Sequence, residues 1–282
     1  MEKTLLSLLP PAYARETETA LKKQSGTLCE LRLRVGRLSS LTLRGRDGLY
    51  NLPLSFVLSD SEMREIFSRT CGGSVHAFEE SLKEGYLSLP SGVRVGVGGR
   101  AVTKNGKTAT ISAVKSLVFR IPHKCPHAAD TLLSLFKERA CGILLFSPPG
   151  GGKTTRLREF AREISRGENP KRCAVIDTRG EFFGFEKECL IDLLSGYPKA
   201  EGAEIAVRTL TPEVLVMDEI GEKEIGALLS LSSLGVPVVA SIHGKTAKEV
   251  CASPARALLE KGIFDLLFDA QKNQPAFPKE SV

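Results

Sequence analysis

Residues 142–164 read GILLFSPPGGGKTTRLREFAREI, and this stretch decides which fold the chain adopts. Its four apolar residues at 143–146 predict a buried strand, and a turn rich in proline and glycine follows at 147–152. The spacing of the apolar residues over 157–164 fits one face of an amphipathic helix. A strand that runs into a glycine loop and then into a helix is the setting of a phosphate-binding loop.

The residue types of this loop suit a polyphosphate ligand. Three successive glycines let backbone N–H groups turn toward an anion, because no Cβ stands in the way. The helix begins here, so its free N–H groups and the positive end of its dipole face the same point. Lys153 would reach the β- and γ-phosphates, and the Thr154 hydroxyl would bind Mg²⁺. The expected nucleotide-binding residues are Ser147, Pro148, Pro149, Gly150, Gly151, Gly152, Lys153, Thr154 and Thr155.

The loop departs from the strict phosphate-binding motif at one position, where Ser147 replaces the first glycine. An ordinary glycine-rich turn before a helix is the alternative interpretation. The Lys-Thr pair in register and the apolar strand in front of the loop favour the phosphate site.

A second part of the same site is the sequence VLVMDE at residues 214–219. Such an apolar run predicts a central parallel strand, whose carboxyl end points to the ligand crevice of an open α/β sheet. Asp218 would bind the metal ion Mg²⁺, and Glu219 would orient and polarise the attacking water. The alternative is an acidic helix cap, but the position of the motif downstream of a phosphate loop favours the site.

Two further predicted strands end in polar residues. Asp177 ends CAVID, with Arg179 and Glu181 close behind, and His243 ends ASIH. Carboxyl ends of parallel strands meet at one edge of a sheet, so we expect one crevice to collect them. For His243, a structural role and a γ-phosphate sensor both remain open. The expected catalytic residues are Lys153, Asp177, Glu181, Glu219 and His243.

The composition of the 282-residue chain is that of a globular protein, with 42% hydrophobic and 26% charged residues. The net charge of +6 permits nucleic acid or an anionic membrane as a neighbour but demands neither. The seven cysteines form no C-x-x-C pair, which argues against a zinc site and for a reducing compartment. No stretch reads as a signal peptide or a membrane span, so we expect a cytoplasmic protein.

The order of the patterns predicts two domains and a tail. Residues 1–125 mix alternating strands such as LRLRV with helices, which predicts an α+β domain. Residues 126–270 alternate apolar strands with helices, which predicts an α/β domain with a mostly parallel sheet covered on both faces. A proline-containing segment at 121–130 would separate the domains, and residues 271–282 would form a polar tail.

Individual elements are predicted with bounds. Asp60 or Ser61 would cap a helix that ends near Thr70, and Asn105-Gly106 favours a hairpin turn. Helices are further expected at residues 74–83, 128–140, 203–210, 221–234 and 247–261, and strands at 108–112, 116–121, 172–177, 213–218 and 236–242.

The ordered motifs SPPGGGKTT, IDTRGE, VMDEIG and ASIHG resemble those of the secretion ATPases, the RecA-like P-loop motors of bacterial secretion and pilus systems. That superfamily carries a phosphate loop, an acidic box, a Walker B acid pair and a histidine box in this order. In the first half, LCELRLRVGR, HAFEESLKEGYLSLPSGVRVGVGGRAV and SLVFRIP are similar to the stage III sporulation protein AA family. These segments together cover most of residues 28–244.

The resemblance implies a RecA-like P-loop NTPase domain preceded by a smaller α+β domain. It also implies an ATPase that uses ATP and Mg²⁺ and assembles into a hexameric ring with nucleotide at the subunit interfaces. Such a protein would lie at the mother-cell membrane as a peripheral protein, held by membrane proteins of the channel between mother cell and forespore. Nucleic acid is not an expected partner.

Carried over residue by residue, residues 150–155 match the phosphate loop and Asp218 with Glu219 matches the Walker B pair. His243 matches the histidine box, and either Asp177 or Glu181 takes the principal role in the acidic box. The charge that develops on the γ-phosphate also needs cations in a dry site, and an arginine from a neighbouring subunit would supply one. The candidates are Arg32, Arg34, Arg94, Arg100, Arg120 and Arg208. We expect Arg94 or Arg120 to approach a neighbour's nucleotide, although solvated surface charges are the commoner case.

Two other functions are compatible with the same motifs. A RecA-like ATPase that moves nucleic acid would use basic strands such as LRLRVGR, but aromatic stacking partners are scarce there and the chain has no Trp. An assembly scaffold would bind ATP tightly and turn it over at a rate near zero. Single-strand binding and turnover measurements distinguish these functions from a motor.

Overall fold

Two β-sheets organise the chain, and each belongs to a separate unit. The computed structural model describes residues 2–89, 91–104, 106–123, 125–178, 180–231 and 235–276. The chain divides into two units, residues 1–123 and 124–282, and each unit has its own hydrophobic core. The division falls inside the proline-containing segment at 121–130.

The sheet of the first unit is antiparallel, with the strand order β3-β2-β1-β6-β5-β4. Its strands are β1 Thr27–Arg34, β2 Leu38–Gly45, β3 Gly48–Val57, β4 Tyr86–Ser88, β5 Arg94–Lys104 and β6 Lys107–Arg120. Leu31 and Leu33 are fully buried, whereas the alternate residues Arg32 and Arg34 lie on the outer face. The predicted half-buried strand with a basic outer face is therefore confirmed.

Short helices accompany this sheet, and the best defined of them has a complete capping box. The helices are α1 Glu2–Leu6, α2 Pro11–Lys22, α3 Asp60–Thr70 and α4 Glu79–Lys83. The N-cap of α3 is Ser59, not Asp60 or Ser61 as the sequence suggested. The Glu62 N–H donates to the Ser59 hydroxyl at 3.3 Å, and the Ser59 N–H donates to the Glu62 carboxylate at 2.8 Å. This reciprocal pair requires a hydroxyl three residues before the glutamate, which only Ser59 supplies.

Two other predictions for the first unit need correction. The expected helix at 74–83 is a 3₁₀ turn, Val75–Phe78, followed by the single turn of α4. The two strands expected at 108–112 and 116–121 are one continuous strand, β6, because register shifts in its pairing with β5 absorb the irregularity between them. Of the expected hairpin turn, Gly106 has a positive φ of 73°, and Asn105 lies outside the described residues.

The described residues of the second unit form a sheet with the order β13-β12-β7-β11-β10-β8-β9. Its strands are β7 Ile143–Ser147, β8 Cys173–Asp177, β9 Ile191–Ser195, β10 Val214–Glu219, β11 Val238–His243, β12 Leu266–Asp269 and β13 Gln274–Ala276. The pairing is parallel except between β12 and β13. The predicted α/β fold with a mostly parallel sheet is confirmed.

Helices cover both faces of this sheet. They are α5 Asp130–Glu138, α6 Lys153–Ile164, α7 Lys199–Ile205, α8 Glu222–Leu231, α9 Ala247–Cys251 and α10 Arg256–Glu260. Successive residues of β7 enter different cores, since Leu144 packs in one cluster and Leu145 in the other. None of the helices built from the described residues is long and apolar enough to cross a bilayer.

The second unit contains three strands that the sequence did not predict, β9, β12 and β13. Strand β9 has only Leu194 buried, so its pattern lacks the apolar run that identifies a central strand. Strand β13 contains Pro275 and pairs only with β12 at the edge of the sheet, where proline is tolerated. Residues 274–276 are therefore part of the sheet and not of a tail, and residues 277–282 lie outside the described residues.

Helix bounds in the second unit also differ from the predictions. The helix expected at 203–210 begins at Lys199 and ends in a π-helical turn, Ala206–Leu210. The helix expected at 221–234 is described to Leu231, and residues 232–234 lie outside the described part of the chain. The segment expected to be helical at 247–261 forms the two short helices α9 and α10.

Replacing Ser59 by alanine tests the capping box. The change should lower the free energy of unfolding by about 1 kcal/mol, because the Glu62 N–H loses its acceptor. The Ser59 N–H and hydroxyl lower the pKa of Glu62, so this stabilisation is present above the ordinary glutamate pKa and fades as the pH falls through the lowered value. Chemical denaturation measures the loss. Ser68→Ala on the exposed side of α3 is the control, and equal losses in both variants would contradict the assignment.

Candidate functional site

The carboxyl ends of four neighbouring parallel strands meet at one edge of the second sheet. These strands are β7, β11, β10 and β8, and the register pairs His243 with Ser147 and Glu219 with Ser241. An open crevice of about 580 Å³ lies at this edge. Its lining residues are Pro149, Gly150, Gly151, Gly152, Lys153, Thr154, Thr155, Glu219 and His243. The structure thus brings Glu219 and His243 to the glycine loop, as the strand-end argument predicts.

The backbone of the loop explains its glycines. Gly150 and Gly152 have φ angles of 77° and 85°, a region that other residues rarely adopt. At Gly151 a Cβ would lie 2.3 Å from the Ser147 Oγ and 2.6 Å from the Ser147 Cβ. Ser147, the residue that departs from the strict motif, therefore makes glycine at 151 a steric requirement. The loop is a closely packed turn and not a flexible linker.

The N-terminus of α6 is open to an anion. The helix begins at Lys153 after Gly152 in the N-cap position, and no side chain caps it. Its first turn also contains no acidic residue. The free N–H groups and the positive end of the helix dipole are therefore available to a phosphate.

Lys153 is buried and hydrogen-bonded to the backbone of the glycine loop. Its side chain is 8% exposed, and its ammonium donates to the Ser147 carbonyl oxygen at 2.7 Å. Burial lowers the pKa of Lys153, and the negative charges of Glu219 and Asp218 partly oppose that shift. A bound polyphosphate would add negative charge beside this ammonium and favour its charged form.

Thr154 and Asp218 converge from two elements on one point. The Thr154 hydroxyl at the start of α6 donates to the Asp218 carboxylate near the end of β10, at 3.4 Å. Asp218 is 3% exposed. A hydroxyl and a carboxylate beside a phosphate-binding turn are oxygen ligands of the kind that Mg²⁺ uses together with phosphate oxygens. The residues present therefore fit a magnesium nucleotide.

Asp177 and Glu181 lie outside the lining of the crevice. Asp177 is 1% exposed, and its two carboxylate oxygens accept the N–H groups of Glu181 at 3.0 Å and Phe182 at 2.9 Å. Burial raises the pKa of Asp177, and these backbone bonds work against the shift. In this arrangement Asp177 fixes the loop that follows β8. Arg179, which was expected beside it, lies outside the described residues.

Sequence reasoning missed the charged side chains that attach α6 to neighbouring loops. Arg156 donates to the Ala270 carbonyl at 2.7 Å and the Asn273 side chain at 2.8 Å, and it also reaches the Ala128 carbonyl. These bonds tie the start of α6 to the β12–β13 turn and to the segment before α5. The signal was an arginine within the glycine-loop motif, which periodicity alone assigns to an exposed face.

One turn later, α6 contains a buried ion-pair cluster. Glu159 is 2% exposed and pairs with Arg162, which is 3% exposed and also pairs with Glu186 at 3.3 Å. Arg158 stacks over the Phe183 ring at 4.5 Å. The cluster links the phosphate-loop helix to the loop after β8. The sequence analysis assigned no role to these arginines and glutamates, and the loop that buries them could not be predicted.

Lys199 is a second residue that the sequence did not single out. At the start of α7 its ammonium donates to the backbone carbonyl of Glu219. This bond fixes the backbone at the end of β10, from which the Glu219 side chain enters the crevice. The only sequence signal was Pro198 before the lysine, a residue that often precedes a first helical turn.

Sequence comparison finds relatives along almost the whole chain. The family described as "Sporulation stage III, protein AA" matches residues 5–276. Stage III sporulation protein AA of Bacillus subtilis is 32% identical over 278 residues, which cover 93% of this chain and 88% of that protein.

Two solved structures share the fold. The ATPase DotB of Legionella pneumophila has a TM-score of 0.60 at 19% identity, covering 90% of this chain and 70% of its own. The pilus retraction motor PilT, solved with bound ADP, has a TM-score of 0.60 at 17% identity, covering 89% of this chain and 76% of its own. At these identities the likeness shows the fold alone, and it is the RecA-like fold expected from the motifs.

Gly151→Ala tests the packing of the loop. The added Cβ would collide with Ser147, so the loop must move and nucleotide affinity should fall at least tenfold, about 1.4 kcal/mol. Titration with a fluorescent ATP analogue measures the affinity. Gly226→Ala, in α8 where a Cβ meets no neighbouring atom, is the matched control and should leave the affinity unchanged. Undiminished affinity in Gly151→Ala would show that the loop is not the binding turn.

Proposed function

The chain belongs to the sporulation stage III protein AA family, and we propose that it is a magnesium-dependent ATPase of a secretion-type channel. In this proposal, ATP hydrolysis powers or assembles a channel that links mother cell and forespore during endospore formation. The observation that carries the proposal is the meeting of Thr154 and Asp218 beside an uncapped glycine loop. The family and the motor-like fold support it.

Binding begins with groups that are already in position. The N–H groups at the start of α6 would donate to the phosphate oxygens, and Lys153 would exchange its bond to the Ser147 carbonyl for one to the terminal phosphates. Because Lys153 is buried, its charge acts in a poorly screened setting and contributes more than an exposed lysine would. The loop needs little rearrangement to bind.

Hydrolysis requires a group that activates water and a means of neutralising charge. Mg²⁺, when bound, would supply electrostatic stabilisation of the phosphate charge. Thr154 and Asp218 would hold it. Glu219 lies in the crevice, where its carboxylate would orient the attacking water and accept a proton. Lys199 fixes the Glu219 backbone, so the position of that carboxylate is restrained.

His243 and Asp177 would assist this reaction without activating the water. His243 is exposed, lines the crevice and pairs in register with Ser147, which suits a sensor of the terminal phosphate. Asp177 would position the loop after β8 through the N–H groups of Glu181 and Phe182. Glu181 then stays the candidate for a direct contact from the acidic box.

The proposed working form is a homo-oligomer, a hexameric ring that membrane proteins of the channel hold at the mother-cell membrane. The fold shared with the pilus retraction motor PilT supports a motor role. Among the arginines considered for action between subunits, Arg208 forms an ion pair with Glu204 at 2.8 Å. Arg94 stacks over the Tyr86 ring and Arg120 lies 3.6 Å from Glu30, both on the outer face of the first sheet.

Two variants separate binding from chemistry. Lys153→Ala should weaken ATP binding, because a buried cation beside the phosphates is lost. Glu219→Gln should bind ATP with nearly unchanged affinity and hydrolyse it at least a hundredfold more slowly, since a general base typically contributes about 10²–10⁴ in rate. Nucleotide titration and phosphate release measure the two effects. Glu222→Gln, an exposed residue of α8, is the control, and undiminished turnover in both site variants would refute the proposal.

A double variant tests the contribution of a neighbouring subunit. Arg94→Ala with Arg120→Ala should reduce the oligomer-dependent part of phosphate release by on the order of 10³, as expected for loss of an arginine that stabilises developing charge. Arg64→Ala on the exposed side of α3 is the control. Oligomer-dependent hydrolysis that is unchanged in the double variant would exclude both arginines from this role.

A further inference from the structure

The outer face of the sheet in the first unit carries arginines on two neighbouring strands, β1 and β2, and exposed aliphatic side chains on β2 and β3. We define the β1–β3 face by Arg32, Arg34, Leu38, Arg44, Leu49 and Val57. These residues alternate with the buried residues of β1, β2 and β3, so they share the side of the sheet away from its core. Strands lie about 4.8 Å apart and alternate residues about 6.7 Å apart, so the face presents its cations as a two-dimensional array.

The positive charge of the chain is concentrated in this unit. Residues 1–123 contain 18 lysine and arginine residues against 11 aspartate and glutamate residues, whereas residues 124–282 contain 21 against 22. Within residues 27–57 there are five arginines and two acids, with no lysine. The two acids are Glu30, which pairs with Arg32 at 2.7 Å, and Asp47 in the turn after β2. Residues 27–57 therefore carry a net charge of +3, of which the two turns contribute Arg37, Arg46 and Asp47.

Aliphatic side chains stand among these cations. Leu38 is 51% exposed, Leu49 is 63% exposed and Val57 is 46% exposed. A single exposed aliphatic side chain is common on protein surfaces. Three of them on the face that also bears the arginines form a mixed surface of cationic and apolar groups. A surface of this kind binds where anionic groups lie directly above an apolar layer.

A groove in this face suits phosphate groups. It has a volume of about 660 Å³, and its lining includes Arg32, Arg34, Arg44, Ser40 and the acidic Glu30 that pairs with Arg32. The Thr42 hydroxyl in the same lining donates to the Asn51 side chain at 2.8 Å. Arg34 donates to the Leu38 carbonyl at 3.0 Å and to the Ser40 hydroxyl at 3.1 Å, which fixes its guanidinium at the groove. Phosphate oxygens accept hydrogen bonds from guanidinium and hydroxyl groups.

Two observations favour lipid over nucleic acid as the source of these phosphates. Single-stranded nucleic acid binds through aromatic side chains on which its bases stack, and no aromatic residue is among the described lining of the groove. The exposed aliphatic side chains would also have no apolar partner on a nucleic-acid backbone. In a bilayer they would enter the boundary between headgroups and acyl chains.

We propose that the β1–β3 face binds anionic phospholipid directly, with its arginines on the headgroup phosphates and its aliphatic side chains in the interface. This contact goes beyond the proposed attachment through membrane proteins. It does not require ATP hydrolysis, so the two proposals fail independently.

Vesicle flotation with the full chain, without nucleotide, tests this contact. The wild type should float with vesicles of equimolar phosphatidylcholine and phosphatidylglycerol and not with phosphatidylcholine alone. Arg34→Gln with Arg44→Gln should weaken that binding roughly 30-fold, since each arginine near an anionic surface contributes about fivefold. Leu38→Ser with Leu49→Ser should weaken it as well. Higher salt should reduce the remaining binding.

A charge-matched variant controls for net charge. Arg64→Gln with Arg69→Gln removes two exposed arginines from α3 and should leave flotation unchanged. Equal loss in both double variants would show a nonspecific charge effect and overturn the assignment. Absence of wild-type flotation would also overturn it. Binding of a single-stranded oligonucleotide that depends on Arg34 and Arg44, without vesicle binding, would assign the face to nucleic acid instead.

Discussion

The contact between Thr154 and Asp218 is the constraint on which the second unit depends. It joins the first turn of α6 to the end of β10, two strands away from the strand that begins the loop. The contact exists only because parallel strands place their carboxyl ends at one edge and because glycines let the loop turn sharply above them. The partly buried hydrogen bonds of Arg156 and the buried ion pair between Glu159 and Arg162 hold α6 in place. The geometry of the candidate site is thus set by elements that are themselves held in place.

The sequence specified the core of this site because its chemistry restricts the residue types. Residues other than glycine rarely adopt the φ angles found at 150 and 152, and the apolar run at 214–217 identifies the buried strand that carries Asp218 and Glu219 at its end. The elements that could not be predicted are those whose stability comes from neighbours. Strands β9 and β13 are short edge strands, and each is held by pairing with one neighbouring strand and not by an apolar run of its own. The burial of Arg158 and Arg162 likewise could not be predicted, because it depends on contacts with Phe183 and Glu186 in the loop after β8.

The two units differ in net charge and in where their charged side chains lie. The second unit is nearly neutral in sum, and several of its charged side chains, such as Lys153, Asp218 and Glu159, are buried. There, burial changes the pKa of Lys153 and Asp177 in opposite directions, and in both cases favours the neutral form until a ligand or partner compensates. The first unit keeps its excess of arginine on an open sheet face. The charges of one unit suit chemistry on a small anion, and those of the other suit contact with an extended anionic surface.

The magnesium dependence of ATP binding tests the central claim most directly. Isothermal titration of the wild type with ATP, in Mg²⁺ and in EDTA, should show at least tenfold tighter binding with the metal. Asp218→Asn should remove most of that difference, because it alters a proposed metal ligand and leaves the glycine loop unchanged. Equal affinities in Mg²⁺ and EDTA for the wild type, or an unaltered metal effect in Asp218→Asn, would contradict the account.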